Sequence, residues 1–514
     1  MKPLNNRKKT FPVPEILFYL SVFAAIACFA MVQSYGDPPD EVNRFKVVSF
    51  ICRHGYLPHG ADPEVLLDGY GASYAFQPML TYIIQGFLLR FLKLFTTDSY
   101  VLLVAARMVN VVFGVLMAFF VRQTAKLLWK SPYLQWVFTV MTVFLPQNIF
   151  IHSYINTDSM AMLAVSIIYY ALLRALRTDY DQKDCLLLAL GIILCAMSYY
   201  NAYGIILAAM LIFALNYVHL GKPTDRKTVP NPAYAEKSGL WVEWAPLLRK
   251  GLFISAIVLL GISWWFIRNG ILYDGDIIAM NARRECSIQT AAEELNPLTR
   301  FTFRGAGISL VDMLTETDYI VLVLNSFTAM FGAMDIPTHG LIYLFYWYFW
   351  LAMCLAALLV PKRIWNPTGK GLWSNPNRSL PESGRKKKIL FYGSMILFCL
   401  ITIGLSVFYS YTWDFQPQGR YILPILIPFM HMVTLGAQKL CGMLENGFLR
   451  LKGQPAGEKR RGTVLAQAGT ACGKQLCIGI IAYVLLSFAY SLFVCVLPHY
   501  SQNDSLFSLY ELIL

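Results

Sequence analysis

Charge is scarce in this sequence. Asp, Glu, Lys and Arg make up 14% of its 514 residues, too little to coat a soluble body of that size. Histidine is scarcer still, at 7 residues. None of the 11 cysteines is spaced C-x-x-C, and no His or Cys set has metal-ligand spacing. Those absences argue against zinc ribbons and thioredoxin-like redox motifs. Short internal repeats, inverted repeats and a soluble domain are also missing, which removes solenoids and the commonest transporter signature. What is abundant is apolar: 57% hydrophobic residues, 15% aromatics and a mean hydropathy of +0.50. Lipid is the solvent those values suit, and they predict an all-α polytopic membrane protein with aromatic belts.

Runs of membrane length lie near 14–34, 102–122, 133–152, 157–174, 185–201, 203–220, 251–269, 340–360, 389–410, 421–439 and 475–497. That makes about eleven spans of roughly 20 residues each. Lys2, Arg7, Lys8 and Lys9 before the first run resemble a signal peptide. The run continues to Val32 and more spans follow, so the first span is expected to stay uncleaved. The segment 77–95 is apolar but carries Arg90 and Lys93, and is expected to form an amphipathic interfacial helix. With the N-terminus inside, most Lys and Arg fall in inner segments, including "SGRKKK" at 383–388 and "GEKRR" at 457–461. Most Asp and Glu then fall outside. The net charge of +13 is therefore topology and contact with membrane lipids, and no nucleic acid is expected. The N-terminus is expected to be cytoplasmic and the C-terminus extracytoplasmic. Two long outer loops, 35–101 and 270–339, belong to a module over 1–440. Residues 441–514 hold a basic inner loop, a last span and a short outer tail. The cysteines read as small buried hydrophobes, although Cys52 and Cys286, both in the outer loops, could bridge.

Four clusters stand at the outer ends of spans. "SYGDPPDEVNRF", 34–45, turns sharply at Pro38 and Pro39 and places Asp40 and Glu41 at a helix start. Asp40 either caps that helix or serves as a base or ion ligand at the membrane rim. "IHSYINTDSMAML", 151–163, places Asp158 at the head of an apolar helix, again as a cap or a functional acid. Asp40 and Asp158 together could orient an acceptor or hold a divalent cation. "WDFQPQGRYILPILIP", 413–428, sets Arg420 and Tyr421 at an outer mouth, where a phosphate could sit or an arginine could snorkel. Arg268 and Arg107 also lie at outer ends, against the positive-inside trend, and suggest an anionic ligand. His54 and His59 read as surface histidines.

These clusters, in this order, resemble the GT-C superfamily of polytopic glycosyltransferases, nearest to an uncharacterised bacterial branch. "PPDEVNR", 38–44, resembles a first-loop P-x-D-E-x-x-H/R pattern. "FQPMLTYIIQGFLLR", 76–90, resembles a Q-P-P-L-Y-Y interfacial helix, with Met79 in place of the second proline. "ARMVNVVFGVLMA", "WWFIRNGILYDGD" and "QGRYILPILIP" resemble three later motifs. The resemblance covers most of residues 14–440. It implies a sugar donor linked to polyprenyl phosphate, a glycan, lipid or protein acceptor of the cell envelope, and inverting transfer at the outer face of a bacterial membrane. By the same resemblance Asp40 is the base, Glu41 supports it and Asp158 is the second acid. Arg44, Gln77, Arg107, Arg268, Asn269, Arg420 and Tyr421 become the substrate-binding candidates. The rival expectation is a transporter or flippase for a lipid-linked sugar or other anionic lipid, with Asp158 and the three arginines as binding and coupling groups.

Overall fold

The structure, a computed structural model, describes residues 13–220, 240–359, 382–451 and 471–501. The basic N-terminal segment, much of the three loops expected to be inner and the tail expected to be outer lie outside the described residues. The chain is helical almost throughout. Two short antiparallel strand pairs, Val218–Leu220 with Leu240–Val242 and Met330–Phe331 with Ile336–Pro337, are the only sheet described. Helices are the form expected where lipid offers the backbone no partner.

Helix α1 spans Val13–Val32, α2 Glu41–His54, α3 Leu80–Leu92, α4 Ser99–Leu128, α5 Pro132–Val143, α6 Pro146–Ile151 and α7 Asp158–Thr178. Next come α8 Gln182–Ala196, α9 Gly204–Asn216, α10 Trp244–Leu272, α11 Met280–Thr290, α12 Leu310–Glu316 and α13 Tyr319–Thr328. Then α14 Gly340–Leu359, α15 Glu382–Thr412 and α16 Leu426–Leu451 precede a last long helix from Ala471. Among the described residues, eight helices are long and apolar enough to cross a membrane. They match eight of the expected spans. The other three are shorter: α8, α9, and α5 followed by α6. The run at 133–152 breaks at Leu145, because Pro146 opens a new helix and cannot continue the old one.

Of the eight, α7 is the most enclosed, with 89% of its span buried, and α10 the least, at 11%. So α7 is the central post and α10 a peripheral helix. Helix α3 has 13 residues, about 20 Å at 1.5 Å each, short of a ~30 Å crossing. It lays Tyr82, Gln85 and Leu89 inward and leaves Ile84, Phe87 and Phe91 exposed, as expected of an amphipathic helix. Arg90 at its end donates to the carbonyls of Cys52 and Arg53, capping α2. Helices α2, α3 and the start of α4 thereby enclose a small core of their own, with Phe45, Phe50, Met79 and Trp265 inside. Cys52 and Cys286 are free thiols in separate apolar clusters, so the disulfide considered between them is not formed.

Candidate active site

Pro38 and Pro39 end in a residue with left-handed backbone: Asp40 has φ 62°. Aspartate tolerates that conformation better than most residues. One consequence is that Asp40 does not cap α2 with its side chain. Its carboxylate turns to the end of the α15–α16 connection instead. There Arg420 Nη2 donates to Asp40 Oδ2 at 2.5 Å. Arg44, one turn along α2, approaches the same oxygen at 3.6 Å and donates to Asp158 Oδ2 at 2.9 Å. Asp158 is not the cap of α7 either; that position is Thr157. Four charges thus form a chain across three elements: Arg420, Asp40, Arg44, Asp158.

The members differ in access. Arg44, Asp158 and Arg420 are buried, whereas about a third of the Asp40 side chain, 32%, stays open. Tyr74, in the 3-10 turn Tyr74–Phe76, lies under Arg44 at 5.3 Å from ring centre to guanidinium and hydrogen-bonds Asp40. Burial alone would raise the Asp40 carboxyl. The Arg420 and Arg44 guanidiniums, with the hydrogen bonds from Arg420 and Tyr74, outweigh it and bring the carboxyl down to about 2. The Nε atoms of Arg44 and Arg420 are enclosed without a partner, so each guanidinium keeps one donor unused.

Arg420 is held from behind. It follows Gly419, whose N–H donates to Ser326 Oγ at 2.7 Å. A Cβ at Gly419 would overlap the backbone of Ser326 and Phe327. The 3-10 segment Gly419–Ile425 continues into the wall of an apolar cavity of about 420 Å³. Leu324, Trp350, Ile396, Leu400, Ile422 and Phe429 are among its lining residues. Ile396 and Leu400 on α15 are also exposed outward, so this flank faces the membrane side.

Glu41 and Arg107 do not face the opening. Both are fully buried and paired in a fork, Nε to Oε1 at 2.8 Å and Nη2 to Oε2 at 2.5 Å. Glu41 also accepts the Ile155 N–H at 3.1 Å, and Arg107 donates to the carbonyls of Ala30, Gln33 and Ser34. Glu41, expected to support catalysis, and Arg107, expected to contact the ligand, are joined here in a buried clamp. It binds the end of α1, the start of α2 and α4 to residues 152–157, all of which are buried. A buried irregular loop must have its backbone polar groups satisfied. Asn110 does so at the Tyr154 and Asn156 carbonyls, and Gln33 reaches Ser153. This loop delivers Asp158 to Arg44. Sequence reading missed Asn110, Gln33 and Tyr74, although two polar amides inside or ending apolar runs were a visible signal.

Arg268 and Asn269 serve another joint. Arg268 Nη2 donates to the Pro58 carbonyl at 2.6 Å, and buried Asn269 donates to the Ile277 carbonyl at 3.3 Å. They tie α10 to the stretches 35–101 and 270–339, the two loops expected to be outer. Gln77 closes the Tyr74 turn through its backbone N–H. Tyr421 stands beside Arg420, which donates to its hydroxyl at 3.2 Å. His54 and His59 are exposed. A divalent cation between Asp40 and Asp158 does not fit this donor set, because the Arg44 guanidinium stands between the two carboxylates and already pairs with both. Among the described residues no three His, Cys, Asp or Glu side chains converge.

A family model described as "Predicted membrane protein (DUF2142)" matches residues 69–429. The chain belongs to this family. The match holds Asp158, Arg107, Arg268 and Arg420, while Asp40 and Arg44 precede it. With its eight long apolar helices the chain is a multi-pass membrane protein. No curated protein matches its sequence. Among solved structures, it is similar to the oligosaccharyltransferase AglB from Archaeoglobus fulgidus in complex with an inhibitory peptide and a dolichol-phosphate. Identity there is 12%, TM-score 0.41, over 96% of this chain and 56% of that one. It is also similar to ArnT from Cupriavidus metallidurans bound to undecaprenyl phosphate, at 12% identity and TM-score 0.42, over 97% of this chain and 76% of that one. The chain spans little more than half the length of the archaeal enzyme. Likenesses of this order leave the site to be argued from the chain's own residues.

Proposed function

We propose that the protein is a membrane glycosyltransferase of GT-C type. It transfers a sugar from a polyprenyl-phosphate-linked donor to a cell-envelope acceptor at the outer face. The observation that carries this reading is the Asp40–Arg420 pair, open only on the Asp40 side, at the head of a segment that also walls an apolar cavity. A lipid phosphate needs a cation at the rim and an apolar path for its chain, and both belong to residues 419–425 here. A phosphate oxygen would compete with the Asp40 carboxylate for the Arg420 guanidinium, whose enclosed Nε–H has no partner. Asp40 then takes the proton of the acceptor hydroxyl as that oxygen attacks the anomeric carbon, and Arg420 stabilises the departing phosphate. Arg44 and Asp158 fix the Asp40 carboxylate, and a single displacement inverts the anomeric centre.

Asp40→Asn tests the base. Asparagine also tolerates the left-handed backbone, so the variant removes charge without adding strain. Lipid-linked sugars that accumulate in a deletion strain identify the donor. Complementation with Asp40→Asn is expected to leave that accumulation in place at normal protein level. Restored turnover would return Asp40 to a structural role. The reading as a transporter finds no supporting feature in the locked Arg107–Glu41 clamp.

A further inference from the structure

Residues 413–418 cross from α15 to the Arg420 segment without regular structure. Their backbone is pinned: Trp413 N–H donates to the Tyr409 carbonyl at 2.9 Å and Gln416 N–H to Ser410 Oγ at 3.3 Å. Their side chains form a polar strip that starts at Arg420. Tyr421 OH, which accepts from Arg420, donates to Gln416 Oε1 at 3.2 Å. Gln418 Nε2 donates to the same oxygen at 2.8 Å, and Gln416 Nε2 donates to Asp414 Oδ2 at 2.8 Å. Tyr70 OH faces that carboxylate at 3.4 Å from the first outer loop. The strip is only half-buried, yet Gln418 Oε1 is enclosed without a partner.

Tyr70 is not there by chance. Ser287 Oγ donates to its carbonyl, the Ala292 N–H donates to the Gly69 carbonyl, and Thr290 Oγ1 donates to that of Gly71. Gly71 has φ 73°, and a Cβ there would run into Ala291 and Thr290. The second outer loop therefore holds Tyr70 over the strip. On the other side the Tyr421 ring stacks with Tyr199, centroids 6.5 Å apart at 26°.

We propose that Asp414, Gln416, Gln418 and Tyr421, with Tyr70 opposite, form the subsite for the sugar ring of the donor. This rests on the reading of Arg420 as the phosphate ligand. The chemistry matches a neutral ring rich in hydroxyls. Each hydroxyl is donor and acceptor, as is each glutamine amide, and the exposed Tyr70 ring offers an apolar surface to ring C–H groups. A second anion is disfavoured by Asp414. The strip also begins one residue from the proposed phosphate ligand, and the anomeric carbon is bonded to the phosphate oxygen.

Binding to the full-length protein in nanodiscs tests this with undecaprenyl phosphate and the same lipid carrying glucose, galactose, mannose or arabinose. The wild type is expected to bind at least one glycosylated lipid about ten-fold more tightly than the bare lipid. Gln416→Ala and Asp414→Asn are expected to erase that increment while bare-lipid affinity stays within about two-fold. Equal loss for both lipids would mean that the strip only props Arg420, and would overturn the subsite. So would unchanged donor binding with weakened acceptor use, or a panel in which no sugar improves on the bare lipid. Arg420→Ala separates the two readings: undiminished bare-lipid binding there sinks the phosphate role, whatever the strip variants do.

Discussion

At the scale of single residues, the site sorts charges into those that are closed and those that keep something to offer. Arg107 directs donors at two carboxylate oxygens and three carbonyls and is wholly enclosed. Removing it would strand Glu41 as an unpaired buried charge, at a cost of about 3–5 kcal/mol. Arg107→Ala is therefore expected to lose folded protein, seen as a lower melting temperature or yield in detergent. Asp40→Asn, which forgoes only the roughly 2 kcal/mol of the Asp40 charge, is expected to lower the melting temperature less and to keep the yield. Asp40 also sets a pH dependence. Its carboxyl, near 2 in the folded state, lies below the ordinary ~3.9, so the unfolded chain takes up the proton first. Its stabilisation, roughly 2 kcal/mol, is full above about pH 4 and is lost as pH falls toward 2. Unfolding curves between pH 2 and 7 are expected to show that slope in the wild type and not in Asp40→Asn. Arg420, Arg44 and Tyr74 face the carboxylate most closely. If a donor phosphate draws Arg420 away, the carboxyl becomes a stronger base. The acid limb of kcat is then expected at higher pH than that of kcat/KM, since the two report the bound and free enzyme. The sequence displayed each of these charges in an apolar setting. It did not display the partners: Glu41 meets Arg107 and Asp158 meets Arg44 only through folding across distant stretches of chain.

At the scale of elements, hydropathy located the eight long helices because length and apolarity are all a crossing requires. The same measure passed over the break between α5 and α6. "FLPQNIFIHSYIN" is apolar enough to read as the end of one span, and hydropathy scores transfer into lipid rather than backbone geometry. Pro146, Asn148 and Asn156 were the signs of an irregular buried loop. The Arg420 segment shows the same limit. Gly419 and Pro424 marked a helix start, but not the backbone contact behind Gly419. That contact predicts that Gly419→Ala pushes the segment off Ser326 and Phe327 and moves Arg420 away from Asp40. Donor affinity is expected to fall by about ten-fold or more, with a smaller loss in Gly71→Ala, whose clash lies at the roof. Lipid binding in nanodiscs would show it, and unchanged affinity in Gly419→Ala would mean that Arg420 is not positioned through this contact.

At the scale of the whole molecule, the two ends of the helix bundle differ in chemistry. At the end where α1 stops and α4 and α7 begin lie Asp40, Arg44, Asp158 and Arg420. At the other end Glu15 pairs with Arg122 and Lys126 across α1 and α4, and Lys387 donates to the Leu176 carbonyl at the close of α7. Lys439 donates to the Ala357 carbonyl near the end of α14. Lysines there meet the negative ends of helices and would also meet anionic headgroups of an inner leaflet. Lys386 and Lys387 of "SGRKKK", at the start of α15, lie at this end, whereas "GEKRR" falls outside the described residues. An inside N-terminus with residues 35–101 and 270–339 outside is the orientation we propose for this segregation, on the positive-inside rule. A cysteine placed at Asp62, in the first of those loops, is then expected to react with a membrane-impermeant maleimide on intact cells. Asp62 lies in an irregular stretch, with its carboxylate accepting only the Glu64 N–H, so the substitution costs little structure. Reaction only after permeabilisation would turn the molecule over. The site would then face the cytoplasm, and a soluble nucleotide sugar would replace the lipid phosphate as the donor that Arg420 must hold.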